Sequence, residues 1–600
     1  MRLATFTENQ HERFGLVLPH PATGEDWVFD PNGVQARITE YASRGTSPLY
    51  ASPPQFFPSG NVPASLAAFL AGGQPGLDSL RRMADFLTRF LEQSDPYILT
   101  GAGFPLAAVQ LNAPIPRPRL FFGLVQNSPT AWRSTPARTH LNLFPQGHQR
   151  PQGSVIAPGA PLVLPFAETI TGGWNPELGV IIGRGGRDIP VSEALAHVAG
   201  LTIVSDATFD YFRRDYFAQQ PPYDWFEDAM SSWGDKKSDA RTPMGPYLVT
   251  LDEIGNPYDQ LIYTRQSGLL RDRSHTGAMA LGIERTIHWL SSLMTLYPGD
   301  VIHMGTMGYD GSPYLSEYTP QPDDYIESEI EKLGVLHNPL VIDHSEYDWR
   351  DVHDSARTVH PSPVVRGLIA QRQERVTPAE WSAENVRHVW LLFGNYAAAE
   401  AQEDLKPRPY PRFLCAPNSV LAADNAQVVI PESTGMIWLG CELAFVVSRI
   451  ARQVHREDAE SYILGYLPLL SVYDTAFEDN IIEPASMQER NLPKVYGRWR
   501  DGFNVVGNPV TSGNTVSAAC IVSLDGVGSV TGSTAEYLHA APDVLAYMTR
   551  FITLFPGDVI TLGRLAARLE VPPGTQTTGL AEIENLGQVT FHIQDRRNPG

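Results

Sequence analysis

The stretch WNPELGVIIGRGGRDIPVSEALAHVAGLTIVSD, residues 174–206, predicts a strand, a turn, a short helix and a second strand. The first strand begins at Glu177, and the glycines after it provide the turn because glycine adopts positive φ at little cost. The second strand ends at Asp206. Two carboxylates at the ends of neighbouring strands can face one another and hold a hard divalent cation through oxygen. Two ordinary solvated strand ends would give the same pattern, so both interpretations stay open at this point.

Segments of the first half recur, in the same order, in the second half. ELGVIIGR at 177–184 recurs as ELAFVVSR at 442–449, and TLYPGDVI at 295–302 recurs as TLFPGDVI at 553–560. The further pairs are 328–334 with 581–587, Asp206 with Asp474, Asn127 with Asn395, and Pro165 with Pro431. The separation drifts slowly and the order never breaks, which indicates a duplicated domain of about 230 residues.

Composition excludes several classes of protein. The net charge of −21 leaves no obvious basic face for nucleic acid or anionic lipid. Three cysteines without a CxxC motif predict neither a disulfide framework nor a zinc site, which fits a reducing cytoplasm. We see no signal peptide and no apolar run of the ~20 residues that a membrane-spanning helix needs. The expected partner is therefore a small molecule, with no nucleic acid and no membrane.

The chain divides into four parts by pattern. Residues 1–105 are predicted to form an α+β leader with a first strand at 14–18 and an amphipathic helix at 77–91. The first repeat spans 106–345, a polar linker 346–385, and the second repeat 386–600. Each repeat carries a helix before its PGDVI motif, at 283–296 and 544–554.

Two irregular segments of the first repeat are candidates for loops that cover a site. Residues 128–155 are polar and contain proline, and residues 207–247 are rich in aromatic and acidic side chains. Segments of this length without a strand pattern are typical of lids or binding loops. An oligomer contact or a surface excursion remains the alternative for the second.

The ordered motifs resemble the fumarylacetoacetate hydrolase family. They are APIPRP before a strand and Asn127, APGAPLVLP, PELGVIIGRGGRDI, VAGLTIVSD, Lys236 with Asp239 before PMGPYLVT, PGDVIHMGTMG and EIEKLG. Each motif alone is weak, but the set occurs in order over 113–341 and in a weaker form over 386–594. The tandem layout is similar to that of the fused decarboxylase/isomerase of homoprotocatechuate breakdown.

The resemblance implies a mixed α/β, β-rich fold of two tandem β-roll domains that pack as a pseudo-dimer within one chain, with homodimerisation a further expectation. It implies Mg²⁺ or Mn²⁺ and an enzyme that acts on oxo-acid or diketo substrates by C–C hydrolysis, decarboxylation or tautomerisation. A divalent ion would act as a Lewis acid on the enolate. The implied residues are Asn175, Glu177 and Asp206 for the metal, Lys236, Asp239, Thr306 and His148 for catalysis, and Arg150, Gly305 and Asn127 for the substrate.

The sequence departs from the family pattern at several of these positions. Asn175 stands where the family has a metal-binding glutamate, so weaker metal affinity follows. No histidine keeps the position of the family's base, and His140 and His148 are the nearby substitutes. The second repeat departs further, and we expect it to be structural: Gly440 and Glu442 stand in the metal motif, and Asp501, Cys415 and Arg564 replace Lys236, Arg150 and Thr306. Its third metal position is Asp474 after a three-residue insertion, or Ser471 without one.

Three hypotheses follow. The first is a metal-assisted enzyme on an oxo-acid with its site in the first repeat. The second is an enzyme repurposed for secondary metabolism, which catalyses a cyclisation, a dehydration or another carbon-skeleton step on a larger substrate and does not require a metal. The third is a binding or scaffold protein without turnover. Metal dependence and turnover distinguish the three.

Overall fold

The computed structural model describes most of the chain. The described residues are 1–21, 23–43, 54–57, 62–93, 99–125, 127, 145–165, 172–209, 236, 238–307, 323–343, 375–396, 411–479, 495–511, 515–550 and 552–598. Most of the two predicted covering loops, including His140, and most of the linker lie outside these residues.

The leader forms strands and helices that attach directly to the first repeat. Its strands are β1 (Arg2–Glu8), β2 (His11–Pro19), β3 (Asp26–Phe29) and β4 (Gly103–Pro105). The short strand β5 (Gln110–Leu111) follows the leader and pairs with β1. Its helices are α1 (Pro31–Ser43), α2 (Leu66–Leu70) and α3 (Gln74–Gln93). The predicted amphipathic helix is confirmed within α3, whose apolar stripe is buried. The predicted first strand lies within β2, and β1 before it was missed.

The first repeat contributes twelve strands among the described residues. They are β6 (Phe121–Leu124), β7 (Gly147–Gln149), β8 (Val155–Ile156), β9 (Leu162–Pro165), β10 (Gly172–Ile182), β11 (Val198–Phe209), β12 (Thr242–Val249), β13 (Leu261–Gln266), β14 (Leu269–His275), β15 (Val301–His303), β16 (Tyr325–Ile330) and β17 (Gly334–Asp343). Its helices are α4 (Leu251–Ile254) and α5 (Ile283–Leu293), and the predicted short helix before β11 is a 3₁₀ helix, Val191–His197.

The second repeat contributes thirteen strands among the described residues. They are β18 (Val389–Phe393), β19 (Arg412–Ala416), β20 (Leu421–Ala423), β21 (Ala426–Ile430), β22 (Ile437–Val447), β23 (Ile463–Asp474), β24 (Asn504–Val506), β25 (Ala519–Leu524), β26 (Gly528–Ser533), β27 (Val559–Thr561), β28 (Leu569–Val571), β29 (Gln576–Ile583) and β30 (Gly587–Asp595). Its helices are α6 (Ala476–Asp479) and α7 (Ala541–Met548), which begins and ends earlier than predicted.

Each repeat combines a large mixed sheet with a five-stranded sheet. In the first repeat the large sheet runs β4-β3-β2-β1-β12-β11-β10-β15-β6-β7, because β1 of the leader pairs with β12. The second repeat has β19-β18-β27-β22-β23-β24-β20. The five-stranded sheets are β14-β13-β16-β17-β9 and β21-β30-β29-β25-β26. Two long antiparallel strands, β10 with β11 and β22 with β23, form the centre of each repeat. The predicted β-rich mixed fold with two similar repeats is confirmed.

The two repeats contact each other through a reciprocal pair of aspartates. Asp239 accepts hydrogen bonds from the main-chain N–H and the hydroxyl of Thr553 at 3.0 and 2.5 Å. Asp501 accepts the same two bonds from Thr295 at 2.8 and 2.6 Å. Both threonines precede a PGD motif, so the two contacts are related by a pseudo-twofold axis, as in an isologous dimer interface.

An arginine completes each of these contacts. Arg452 lies 3.2 Å from Asp239, and Arg187 lies 2.7 Å from Asp501. One apolar cluster includes buried side chains of both repeats, among them Phe122 and Trp499. The tandem repeats therefore pack as an intrachain pseudo-dimer. None of the helices in the described part of the chain has the length and apolar character needed to cross a bilayer, and the three cysteines are buried.

Candidate active site

Glu177 and Asp206 lie inside long strands rather than at strand ends. β10 and β11 pair so that Asn175 is opposite Asp206 and Glu177 is opposite Val204. Because paired and alternate residues share one face of a sheet, Glu177 and Asp206 are diagonal neighbours. They are only 1% and 3% exposed. The interpretation as solvated strand ends is therefore wrong, because the strands continue past both residues.

Two cations hold Asp206. Arg150 Nη2 lies 2.5 Å from Oδ1, and Lys236 Nζ lies 2.5 Å from Oδ2. The other terminal nitrogen of Arg150 donates to the Thr242 hydroxyl at 2.7 Å. Arg150 is fully buried, whereas the Lys236 side chain is 13% exposed. Lys236 is therefore the cation of this pair that a substrate can reach.

Glu177 is held by a histidine, His303, that is not among the predicted site residues. His303 Nδ1 on β15 makes a short hydrogen bond to Glu177 Oε2, which also accepts from the Gly305 N–H at 3.1 Å. The Thr306 hydroxyl lies 3.4 Å from the other carboxylate oxygen, Oε1. Thr306 is partly exposed, so Oε1 is the oxygen of Glu177 that faces the accessible side.

His303 fits because the neighbouring strand carries a glycine opposite it. A Cβ at Gly123 would lie 1.9 Å from His303 Nε2, so no other residue fits there without displacement of the ring. His148 pairs with Gly123 across β6 and β7, and its ring lies edge-on to that of His303 with centroids 6.5 Å apart. A polar residue inside a buried strand, directly after PGDVI, was the available sequence signal for His303.

The environment separates the pKa values of the two carboxyl groups. Burial raises the pKa of Glu177 well above its ordinary value, and the neighbouring charge of Asp206 adds to this. Burial would also raise the pKa of Asp206, but Arg150 and Lys236 outweigh it and hold that pKa below its usual range. Burial lowers the pKa of His148 and of His303, and Arg150 adds to both effects. The shifts thus favour the ionised form of Asp206, the protonated form of Glu177 and the neutral form of both imidazoles.

The side chain of Asn127 binds main-chain groups of other residues, and Gly305 contributes its own main-chain N–H. The Asn127 amide donates to the carbonyls of Leu281 and Met304 at 2.9 and 2.7 Å and accepts from the Leu281 N–H at 2.7 Å. Gly305 has a φ of +75°, and its N–H is used by Glu177. Both residues were predicted to bind substrate; the structure places Asn127 as a support for the segment that carries Gly305.

Asp239 is not brought to this cluster. It was predicted to be catalytic, but its carboxylate is bound to Thr553 and Arg452 of the second repeat. It also lines a cavity of about 830 Å³ between the leader and the two repeats. The physical reason is the pseudo-twofold interface, which uses both carboxylate oxygens.

The strand register changes two equivalences between the repeats. Gly440, the counterpart of Asn175, is opposite Ser471, so Ser471 rather than Asp474 corresponds to Asp206. The reciprocal Asp239 and Asp501 contacts make Arg498, not Asp501, the counterpart of Lys236.

With no aspartate opposite, Arg498 pairs with Glu442 at 3.1 Å. Asp474 lies at the end of β23 and pairs with Arg500 at 2.9 Å. The second repeat therefore lacks the paired carboxylates of the first and carries arginine ion pairs instead.

The described donors do not fit a tightly held Mg²⁺ or Mn²⁺. Each Asp206 oxygen is bound to a cation, Oε2 of Glu177 is bound by His303 and Gly305, and Asn175 brings no charge. Arg150 and Lys236 already more than neutralise Asp206, and Glu177 favours its protonated form, so a dication would add to a buried excess of positive charge. No group of three or more His, Cys, Asp or Glu among the described residues is placed to hold a metal ion.

Comparison with known proteins agrees with this architecture. The model of the fumarylacetoacetate (FAA) hydrolase C-terminal domain matches residues 122–341 and again 388–594. The chain belongs to the fumarylacetoacetate hydrolase family. Both matches place the family domain on the two repeats, and the leader precedes them.

The relatives of this family member include enzymes that match different shares of the chain. A 4-hydroxyphenylacetate degradation bifunctional isomerase/decarboxylase of Escherichia coli is 25% identical over 74% of this chain and 89% of its own length. A mitochondrial oxaloacetate tautomerase of Homo sapiens is 34% identical over 31% of this chain, which spans 56% of that relative. The solved maleylpyruvate hydrolase of Sphingobium sp. SYK-6, in complex with manganese (II) ion and pyruvate, is 21% identical, with a TM-score of 0.39 over 57% of this chain and 100% of that one.

Proposed function

We propose that this family member is an enzyme that moves a proton at the carbon next to the keto group of a 2-oxo acid. The observation that carries the proposal is the pair of neighbouring carboxyl groups with separated pKa values, because such pairs supply the acid and the charged partner of proton-transfer sites. The names of the relatives, an isomerase/decarboxylase and an oxaloacetate tautomerase, support this substrate class.

The enol-to-keto direction uses Glu177 as the acid. The substrate oxygen at C2 faces the Lys236 ammonium, which stabilises negative charge there because the site is buried. Protonated Glu177 gives its proton to C3, the C2–O bond becomes a carbonyl, and the enol O–H proton leaves to water on the exposed side of Lys236. Water then returns a proton to Glu177. The reverse reaction uses the Glu177 carboxylate as the base.

The same enolate connects tautomerisation to decarboxylation. In a 3-carboxy-2-oxo acid the C3–C4 bond breaks, its electron pair moves to the C2 oxygen beside Lys236, carbon dioxide leaves, and Glu177 protonates C3. C–C hydrolysis needs water activated at the cleaved carbonyl in addition. Tautomerisation requires the fewest groups, so it is the reaction that the geometry supports best.

The chain's other residues orient this chemistry. Arg150 keeps Asp206 ionised, and Asp206 in turn fixes the Lys236 ammonium. His303 and the Gly305 N–H hold Oε2 of Glu177, which leaves Oε1 beside Thr306 for the substrate. Because the described donors do not fit a divalent cation, no step of this mechanism passes through a metal.

The test is the conversion of enol oxaloacetate to the keto form, followed by loss of ultraviolet absorbance, with pyruvate release measured in parallel. The wild-type chain should exceed Glu177→Gln by about 100-fold or more, since general acid catalysis contributes about 10²–10⁴-fold. Glu442→Gln in the second repeat is the matched control and should lose less than about tenfold in rate, since Glu442 contacts Arg498 of its own repeat and reaches the first repeat's site only indirectly. Equal rates for wild type and Glu177→Gln on oxaloacetate and on acylpyruvates would refute the proposal.

A further inference from the structure

Residues 495–501 of the second repeat, which we call the strap, extend from the degenerate site of that repeat to the wall of the first repeat's site. Tyr496 contacts the first repeat, Arg498 and Arg500 bind carboxylates of the second repeat, and Asp501 returns to Thr295. The strap therefore touches both halves of the molecule within seven residues.

The Tyr496 hydroxyl forms hydrogen bonds with both main-chain groups of Gly147, beside the candidate site. It donates to the Gly147 carbonyl at 2.7 Å and accepts from the Gly147 N–H at 2.6 Å. Tyr496 is fully buried. A side chain at Gly147 would meet Phe122 and the Gly123 carbonyl at 2.4 and 2.3 Å, so the main chain at this point is closely surrounded. Tyr496 thus fixes the start of β7 from the opposite repeat.

The position of β7 decides where two site residues lie. β7 is the last strand of its sheet and pairs only with β6 among the described strands. It carries His148, and Arg150 follows it directly. A shift of β7 would therefore move the cation that holds Asp206.

The strap is anchored within the second repeat by that repeat's own buried carboxylates. Glu442 binds Arg498 and Asp474 binds Arg500. The Tyr496 ring packs against Trp289 and Trp499, with centroids 5.1 and 5.3 Å apart. The arginine ion pairs of the second repeat thus hold Tyr496 in place.

We propose that Tyr496 is a positioning residue for the active site of the first repeat, and that the ion pairs of the second repeat serve to hold it there. The proposal rests on the proposed function, since it names what fixes Arg150 and His148 in that site. It gives the degenerate repeat a role in turnover that a mere scaffold would not have.

The experiment replaces Tyr496 by phenylalanine in the full-length chain, which removes the hydroxyl and keeps the ring. Tyr466→Phe is the matched control, since Tyr466 is also buried in the second repeat but bonds Glu460 of the same repeat at 2.9 Å. Hydrogen exchange measured by mass spectrometry should rise at least tenfold for the peptide containing 145–150 in Tyr496→Phe and stay unchanged in Tyr466→Phe. This readout needs no substrate.

Two further measurements connect the contact to the site. Oxalate, a planar dianion that resembles the enolate of a 2-oxo acid, should bind at least fivefold more weakly to Tyr496→Phe. The kcat for oxaloacetate should fall about tenfold, and Tyr466→Phe should match the wild type in both. Unchanged exchange at 145–150 would overturn the proposal, as would raised exchange with unchanged oxalate affinity. If the wild type turns over no oxo acid, the proposed function fails while exchange and oxalate affinity still decide the role of Tyr496.

Discussion

The two repeats share one architecture but differ at the positions that matter for chemistry. The first repeat places Asp206, Lys236, His303 and Gly123 where the second has Ser471, Arg498, Thr561 and Leu391. Glycine is opposite histidine in the first repeat, whereas leucine and threonine stand at the corresponding positions of the second repeat, which therefore lacks the imidazole. The comparison teaches that a duplicated fold can keep its core and its interface while only one copy keeps a pair of carboxyl groups with opposed pKa shifts.

The largest expected effect is the loss of Asp206. Asp206→Asn leaves Arg150 and Lys236 without their anion, so we expect turnover to fall by more than about 100-fold and the free energy of unfolding by about 3–5 kcal/mol. The control is Asp474→Asn, another buried aspartate bound by an arginine. It should lower stability similarly but reduce kcat less than about tenfold, through the strap. A comparable loss of kcat in both variants would contradict the assignment of the active site to the first repeat.

Replacement of Glu177 and of Glu442 by glutamine should change the melting temperature in different ways. Glu177 has a raised pKa in the fold, so its stabilising contribution is present below the pKa of the unfolded chain and is lost as pH rises through the folded pKa. Glu177→Gln should therefore weaken the fall in Tm between pH 5 and 8. Glu442→Gln leaves Arg498 buried without its anion and should lower Tm at both pH values. A steeper fall in Glu177→Gln than in the wild type would contradict the assignment.

Asn127 and Asn395 make equivalent hydrogen bonds, so their replacement tests whether this support affects catalysis in both repeats. Asn395 repeats the bonds of Asn127, since it donates to the carbonyls of His539 and Leu562 and accepts from the His539 N–H. Each change to alanine should cost about 2–4 kcal/mol in chemical denaturation, because three hydrogen bonds are lost. Only Asn127→Ala should also lower kcat, since it supports Gly305. Equal kinetic effects would remove that distinction.

The interface aspartates should behave as a symmetric pair with small effects. Asp239→Asn and Asp501→Asn should each cost about 1–2 kcal/mol of stability, because a charged acceptor becomes neutral. Both should leave kcat for oxaloacetate within about threefold of the wild type, and a double mutant should be nearly additive since the two contacts share no partner. A 100-fold loss of kcat in Asp239→Asn alone would restore the catalytic role that the sequence predicted.

No effect at all is expected from divalent cations. The purified chain should contain less than one Mg²⁺ or Mn²⁺ per molecule, and millimolar amounts of either should leave Tm unchanged, because Arg150 and Lys236 already neutralise Asp206 and Glu177 favours its protonated form. Measured metal content beside Asp206→Asn decides this. One ion per chain that is lost in the variant would show that the cations rearrange, and a metal-assisted enolate would then be the better mechanism.

The duplication, the β-rich fold and the presence of Glu177, Asp206 and Lys236 in one repeat can be predicted from the sequence, since repeated motifs and hydrophobic strands are local features. The sequence also predicted the α3 helix from periodicity and placed both carboxyl groups on neighbouring strands. The family resemblance rests on the same local motifs.

Tertiary structure alone decided what these residues touch. Backbone pairing fixed the register that makes Ser471 the counterpart of Asp206. The sequence left Ser471 and Asp474 open because it does not show whether three residues are inserted before this strand ends. The contacts of Asp239, His303 and Tyr496 join residues more than 120 positions apart. Such contacts depend on how whole sheets and repeats pack, and no local pattern carries that information.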